Sequence, residues 1–412
     1  MGDSRQRVMD ALEHRIPDKL PKDLGAMGST GISVFAYPRL VEALGLPPRR
    51  PRAYDTFQML ALPDPDVLDA LGCDVVTVVL DHATNAFEEP ERWYDYDFNG
   101  RLPARVKHPE AFEVQTDGTI RHNRGRGRRS LLLSMPPRSY VFDAEHGLQP
   151  FDIAGDLSYV DLDELREDLR AQLLTDEKVV SVREYCRRVR SATGRAVMFS
   201  GLMAGLDYTP RGGIPEWSMM CISDPDHVKE VYDIITDHAV ENVRRLLPEI
   251  KDSVDILMVE SADQGMQTTT ILPPPVFDDL FVPYYRKVND AIAEIAPEAK
   301  RFLHCCGAVY DIIDGIIASG FDILNPVQWS AGKRSHKEWK DKARGRIALW
   351  GGGINSQTTL PFGSVEDVIE ETTEVVAYLK QDGGYVANSV HNIVAEVPPE
   401  NIIAFYQTAA NA

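Results

Sequence analysis

The chain has 412 residues, 43% of them hydrophobic and 26% charged, proportions that exclude a mostly disordered chain. Lys and Arg total 44 against 63 Asp and Glu, a formal charge of −19. That charge repels nucleic-acid phosphates and anionic membranes, so neither is expected as a partner.

Residues 4–14 read as a helix, ended by Pro17, Pro21 and Gly25. Short helices are expected over 38–46 and 64–72. The β-branched apolar run 73–80 reads as a buried strand. Residues 91–140 hold short alternating segments, an Asp117-Gly118 turn and Arg/Gly punctuation, which predict an antiparallel β meander. From about residue 178 the rhythm becomes regular. Helix 178–192 precedes strand 196–200, helix 225–247 precedes strand 254–260, and a helix over 274–296 precedes strand 300–305. Helix 309–319 then leads to strand 322–327, followed by strand 347–351, helix 365–381 with Ser364 at its N-cap, strand 384–388 and helix 398–410.

Short apolar strands alternating with helices mean parallel βα units. The rhythm alone fits a closed barrel or an open doubly wound sheet. No Gly-x-Gly-x-x-Gly follows an early strand, which argues against a dinucleotide fold. The expected fold is α/β, a (β/α)8 TIM barrel with an inserted antiparallel β meander. One barrel domain is expected over 1–412, with an N-terminal helical extension (1–72) and a β insertion (about 91–140). Such barrels take ~250 residues and grow past 400 with insertions.

The five cysteines are odd in number and include the adjacent Cys305 and Cys306, which does not read as a disulfide framework. A reducing, cytoplasmic setting is expected. The N-terminus shows no apolar signal region, and no apolar run reaches ~18 residues. Against the acidic trend stands the basic run Arg124-Gly-Arg126-Gly-Arg128-Arg129. It reads as a solvated turn or as a grip on an anionic ligand.

In a parallel barrel, catalytic groups stand at the carboxyl ends of the strands. Those ends supply Glu260, Asp263 and Gln267, then His304 and Cys306, then Asn325 and Gln328, then Asn355 and Gln357, then Asn388 and His391. Strand alternation puts His304 and Cys306 on one face and Cys305 on the other. An imidazole beside a thiolate, with His391 as a distant third ligand, suits Zn²⁺ with one position left for Glu260 or substrate. Two competing readings stay open. His304 is a hydrogen-bonded core residue with cysteines as apolar filler, or His304 is a general acid–base beside a Cys306 nucleophile. The aromatic residues Tyr208, Trp217 and Trp329 are candidates for the substrate pocket, with packing as the alternative.

Several segments resemble the uroporphyrinogen decarboxylase superfamily: 301–307 (RFLHCCG), 320–328 (GFDILNPVQ), 383–393 (GGYVANSVHNI), 260–267 (ESADQGMQ) and the opening 7–12 (RVMDAL). The resemblance covers nearly the whole chain outside 91–140 and implies the barrel. One branch decarboxylates a porphyrinogen without a cofactor, gripping carboxylates with an arginine-rich N-terminal loop. The equivalent segment here, 23–31 (DLGAMGSTG), holds no arginine, so a substrate with many carboxylates loses its bidentate clamps.

The other branch, the cobamide-dependent methyltransferases, is nearer. It carries a His-x-Cys at a strand end and a later Cys as zinc ligands. His304 and Cys306 match the first two, and His391 stands at the third. The resemblance thus implies Zn²⁺ on His304, Cys306 and His391, with Glu260, Asp263, Gln267 and Asn325 catalytic. Gln328, Trp329, Tyr208 and Asn388 then hold a small-molecule methyl donor or acceptor. No Asp-x-His-x-x-Gly corrinoid motif occurs, so the cobamide is expected on a small partner corrinoid protein. Superfamily members are often homodimers. The alternatives are a metal-free carboxy-lyase and a binding protein that kept the barrel.

Overall fold

The computed structural model describes residues 4–79, 84–85, 93–124, 131–144, 157–207 and 213–412. Its central sheet carries seven parallel strands in sequence order: β1 (Val75–Val79), β2 (Ala196–Ser200), β3 (Ile256–Ser261), β4 (Lys300–His304), β5 (Ile323–Asn325), β6 (Ala348–Trp350) and β7 (Tyr385–Val386). The short strand Thr84–Asn85 pairs antiparallel with β1. Between β7 and β1 runs the segment 21–23. Lys22 bridges Ala387 in parallel, and the amide of Ala387 donates to the carbonyl of Pro21 at 2.9 Å. The amide of Asp74 donates to the carbonyl of Lys22 at 2.7 Å. This segment therefore takes the eighth place, as a single bridge rather than a regular strand.

Side-chain alternation divides the core in two. Val75, Met198, Ile256, Phe302, Ile323, Trp350 and Val386, one from each strand, form a separate buried cluster inside the curl. Val8 and Leu12 of the helix Ser4–Leu12 join it and plug the amino-terminal end. The intervening residues, among them Phe199, Leu257, Leu303, Leu324 and Leu349, join the larger outer core beneath the helices. Each fully buried aliphatic chain contributes about 1.5–3 kcal/mol, so a one-residue slip in any strand exchanges the two layers at high cost.

The helices follow from local signals. Pro225–Ile250 starts at Asp224, whose carboxylate accepts from the His227 amide, with Pro225 at the first turn. Val365–Leu379 starts with the expected capping box of Ser364 and Asp367. The expected helix 274–296 is two pieces, Pro274–Leu280 and Val282–Ile295, separated at Phe281 and with Pro283 in the first turn of the second.

The meander is present. The hairpin Tyr94–Asp97 with Pro103–Val106 and a four-stranded antiparallel sheet ending at Ala144 account for its described part. Residues 1–72 are not only helical. They also contain a three-stranded antiparallel sheet of Ile32–Ser33, Leu60–Ala61 and Ala53–Asp55. No helix among the described residues is long and apolar enough to cross a membrane.

Candidate metal centre

The carboxyl ends of β4 and β7 bring His304, Cys306 and His391 together, with one donor atom from each lying within 4.8 Å of the others. His304 ends β4 on the inner face and is almost fully buried. Its Nδ1 bonds to Asn325 Oδ1 at 2.7 Å, and Asn325 Nδ2 donates to the carbonyl of Trp350 at 2.9 Å. That anchored acceptor places the proton on Nδ1 and leaves Nε2 as the ligand atom. Ser29 Oγ lies 3.2 Å from Nε2. His391 is held similarly: its Nδ1 bonds to Asn392 Oδ1, and Asn392 Nδ2 donates to Gln58 Oε1 at 3.1 Å. Cys305 points outward into the apolar layer, as alternation requires.

Asp263, two residues past β3, lies between two of these donors. Its Oδ1 accepts from Cys306 Sγ at 3.0 Å and stands 3.6 Å from His304 Nε2. The nearness of His304, with the Cys306 thiol and amide donating to it, holds the Asp263 carboxyl well below the usual carboxylate range. Burial, reinforced by Asp263, pushes the Cys306 thiol up. Burial pushes the His391 imidazole down, so its neutral, ligating form predominates at neutral pH.

The donor set fits Zn²⁺. Bond lengths of about 2.0–2.1 Å to nitrogen and 2.3 Å to sulfur give tetrahedral edges of about 3.3–3.6 Å. The separations of Asp263 Oδ1 from the sulfur and from Nε2 bracket those edges, and small side-chain rotations gather the rest. Two imidazoles, one thiolate and a displaceable carboxylate oxygen make a four-donor set with a labile position.

Two glycines set this geometry. Gly307, at φ +88°, lies so close to Gly265 that a Cβ on it would stand 2.4 Å from the Gly265 carbonyl. Only glycine backbones approach so closely. The amide of Ala308 donates to the carbonyl of Met266 at 2.8 Å, and the amide of Gly307 to Gln328 Oε1 at 2.7 Å. These contacts fix the loop of Cys306 against the loop of Asp263.

A family model described as uroporphyrinogen decarboxylase (URO-D) matches residues 158–412. The chain belongs to the uroporphyrinogen decarboxylase family. It is 24% identical over 208 residues to uroporphyrinogen decarboxylase of Synechocystis sp., covering 47% of this chain and 55% of the relative. It is also 24% identical over 176 residues to uroporphyrinogen decarboxylase 2 of Oryza sativa, covering 41% and 43%. The chain thus spans about half the length of the curated relatives it matches. Among solved structures, a methyltransferase from Methanosarcina mazei superposes with TM-score 0.54 at 15% identity, over 100% of this chain and 99% of that one. The two share a fold.

Within this family member, the other residues singled out in the sequence take several places. Asn325 stands behind His304 and orients it. Gln328 holds the Cys306 loop. Gln267 is exposed on the hairpin after β3, its carbonyl accepting from the Gly332 amide at 2.9 Å. Trp329 is half-buried, its indole donating to the carbonyl of Gly352 at 2.7 Å. Asn388 is fully buried and donates to the carbonyl of Asp23 at 2.8 Å, tying β7 to the N-terminal segment. Asn355 accepts from the amide of Gln357, a loop-closing turn. Tyr208 and residues 125–129 lie outside the described residues.

Glu260 is turned away from the ligand cluster. A register shift between Met258 and Glu260 sets Glu260 opposite Leu303, which faces the outer layer. Simple alternation from Ile256 and Met258 would have aimed it inward, and the bulge reverses this. Its carboxylate accepts from the amides of Leu206 at 2.6 Å and Ser261 at 2.9 Å. Burial, with Asp207 nearby, pushes it up to about 8.

Two further residues were not singled out in the sequence. Ser29 sits on the 3-10 turn Gly28–Thr30 and reaches His304. Asp23 is buried, accepts from Trp350 Nε1 at 2.9 Å and from the Ala26 amide at 3.0 Å, and is pushed up to about 6 by burial. Asp23 fastens the segment that carries Ser29 over the barrel mouth.

Proposed function

We propose that this protein is a zinc-dependent methyltransferase or demethylase. It moves a methyl group between a small substrate, such as a methoxylated compound, and a corrinoid carried on a separate small protein. The observation that carries this reading is the convergence of His304, Cys306 and His391 at the strand ends, where barrel enzymes keep their chemistry. Zinc held there supplies a Lewis acid for the oxygen, sulfur or nitrogen that bears the methyl group. The chain's own part is orientation. Asn325 fixes the His304 ring, the Asn392–Gln58 pair fixes His391, and Asp263 yields its place between His304 and Cys306 to the substrate heteroatom. The corrinoid protein docks over the barrel mouth, and the enzyme works as a cytoplasmic homodimer. Its five free thiols support a reducing setting.

The relatives' name favours a second reading, a metal-free carboxy-lyase. Segment 23–31 weighs against it. That segment lies beside His304 and offers Ser29, with no guanidinium to clamp a polycarboxylate.

The test is methyl transfer itself. Zinc-loaded protein is mixed with cob(I)alamin and a panel of methyl ethers and thioethers, and methylcobalamin is followed by absorbance. Formation by the wild type and its loss in Cys306→Ser are expected. Release of CO2 from a carboxylated substrate by zinc-free protein, with no methyl transfer, would replace this reading by the second.

A further inference from the structure

Ser29 meets the metal centre from a segment 275 residues away along the chain. Its Oγ stands 3.2 Å from His304 Nε2, and its side chain makes no other hydrogen bond among the described residues. The direction of that bond follows from the far side of the ring. Asn325 Nδ2 donates to the carbonyl of Trp350, so Oδ1 is the atom that faces His304 Nδ1, and Nδ1 carries the proton. Nε2 then offers a lone pair, and the Ser29 hydroxyl donates to it. Nε2 is also the atom that would ligate zinc, and one lone pair serves one partner. A metal at about 2.0–2.1 Å from that nitrogen would lie in the path of the Ser29 proton. Metal uptake therefore displaces the Ser29 hydroxyl from Nε2.

The displaced hydroxyl has little room to retreat. Ser29 is buried in the middle of the turn Gly28–Thr30. The amide of Thr30 donates to the carbonyl of Met27 at 3.1 Å, the amide of Gly25 to the carbonyl of Thr30 at 2.8 Å, and the amide of Ala26 to Asp23 Oδ1 at 3.0 Å. The backbone is thereby fixed. What remains is rotation about χ1 among staggered positions, which swings Oγ aside while its Cα stays beside the His304 ring. The proton then needs a new acceptor. Asp263 Oδ1 stands 3.6 Å from the same Nε2, at the place that a substrate heteroatom takes when Asp263 gives way. We propose that Ser29 donates to that heteroatom and makes oxygen the preferred methyl-bearing atom. An oxygen accepts such a bond well, whereas a thioether sulfur is a weak acceptor. Methyl ethers are then good substrates and thioethers poor ones. This inference rests on the methyl-transfer reading and narrows it.

The test is calorimetric titration of the full chain, wild type beside Ser29→Ala, first with zinc and then, after zinc loading, with phenol and thiophenol as probes. Ser29→Ala is expected to bind zinc as tightly as the wild type or up to about tenfold more tightly, because nothing competes for Nε2. It is expected to bind phenol about tenfold more weakly than the wild type, and thiophenol within about twofold. A serine that merely supports the turn would not give these opposed signs, because loosening the turn weakens all three ligands. Weaker zinc binding by Ser29→Ala, phenol binding that is absent or equal in both proteins, or an equal loss for phenol and thiophenol overturns the proposal and leaves the methyl-transfer reading in place. A wild type that takes up no zinc overturns both.

Discussion

Asn325→Ala separates a metal centre from an ordinary buried histidine. Asn325 is fully buried and makes two bonds, at 2.7 Å to His304 Nδ1 and at 2.9 Å to the carbonyl of Trp350. Truncation leaves a donor and an acceptor without partners, each costing about 1–3 kcal/mol, so stability falls by about 2–6 kcal/mol. The same change frees the His304 ring to rotate and to place its proton on Nε2. Loss of such an orienting partner weakens metal binding about 10–100-fold. The assays are urea denaturation of the metal-free protein and zinc competition against a chromophoric chelator. Asn325→Asp, which keeps the acceptor toward His304 but loses the donor toward Trp350, should retain more zinc affinity than Asn325→Ala. Zinc affinity within twofold of wild type in Asn325→Ala would refute the orienting role, whatever the loss of stability.

Gly307→Ala forces a Cβ into the Gly265 backbone at a positive φ, and it should cost about 2–4 kcal/mol and misplace Cys306. A denaturation midpoint and zinc affinity equal to wild type would contradict the two-glycine clamp. Zinc binding at pH 7 should release about one proton, because the Cys306 thiol is raised by burial and must ionise to ligate. Titration in buffers of different ionisation enthalpy counts it, and a count near zero would exclude Cys306 as a ligand. For Glu260 the folded pKa is raised from 4.5 to about 8. Its contribution is therefore complete below about pH 4.5 and is lost as pH rises through about 8. Wild-type stability should fall across that window relative to Glu260→Gln, and parallel pH profiles would show that the carboxyl is not buried as described.

Most of the fold was legible because strand alternation and helix periodicity are local. The run AVMFS became β2 over the expected residues, and the capping box at Ser364 formed. The same signal at Ser335 and Glu338 starts the helix His336–Ala343, which periodicity over so short a span did not reveal. The eighth barrel place was hidden because a single residue, Lys22, makes the bridge, with no apolar run to mark it. At the site, alternation foresaw that His304 faces inward and Cys305 outward. It failed at Glu260, because a bulge adds one residue without a sequence mark and re-aims the side chain. Ser29 and the Gln58–Asn392 pair were invisible, being contacts between segments hundreds of residues apart. Asn388 looked like a pocket residue by position, yet the buried carbonyl of Asp23 claims its amide.

Metal content tests the central claim most directly. Wild-type protein and Cys306→Ser are purified side by side, offered zinc, desalted and measured by mass spectrometry. About one zinc per chain in the wild type, lost in the variant while the fold persists, is the expected result. No zinc in the wild type, or zinc retained in full by Cys306→Ser, would contradict a metal centre on His304, Cys306 and His391.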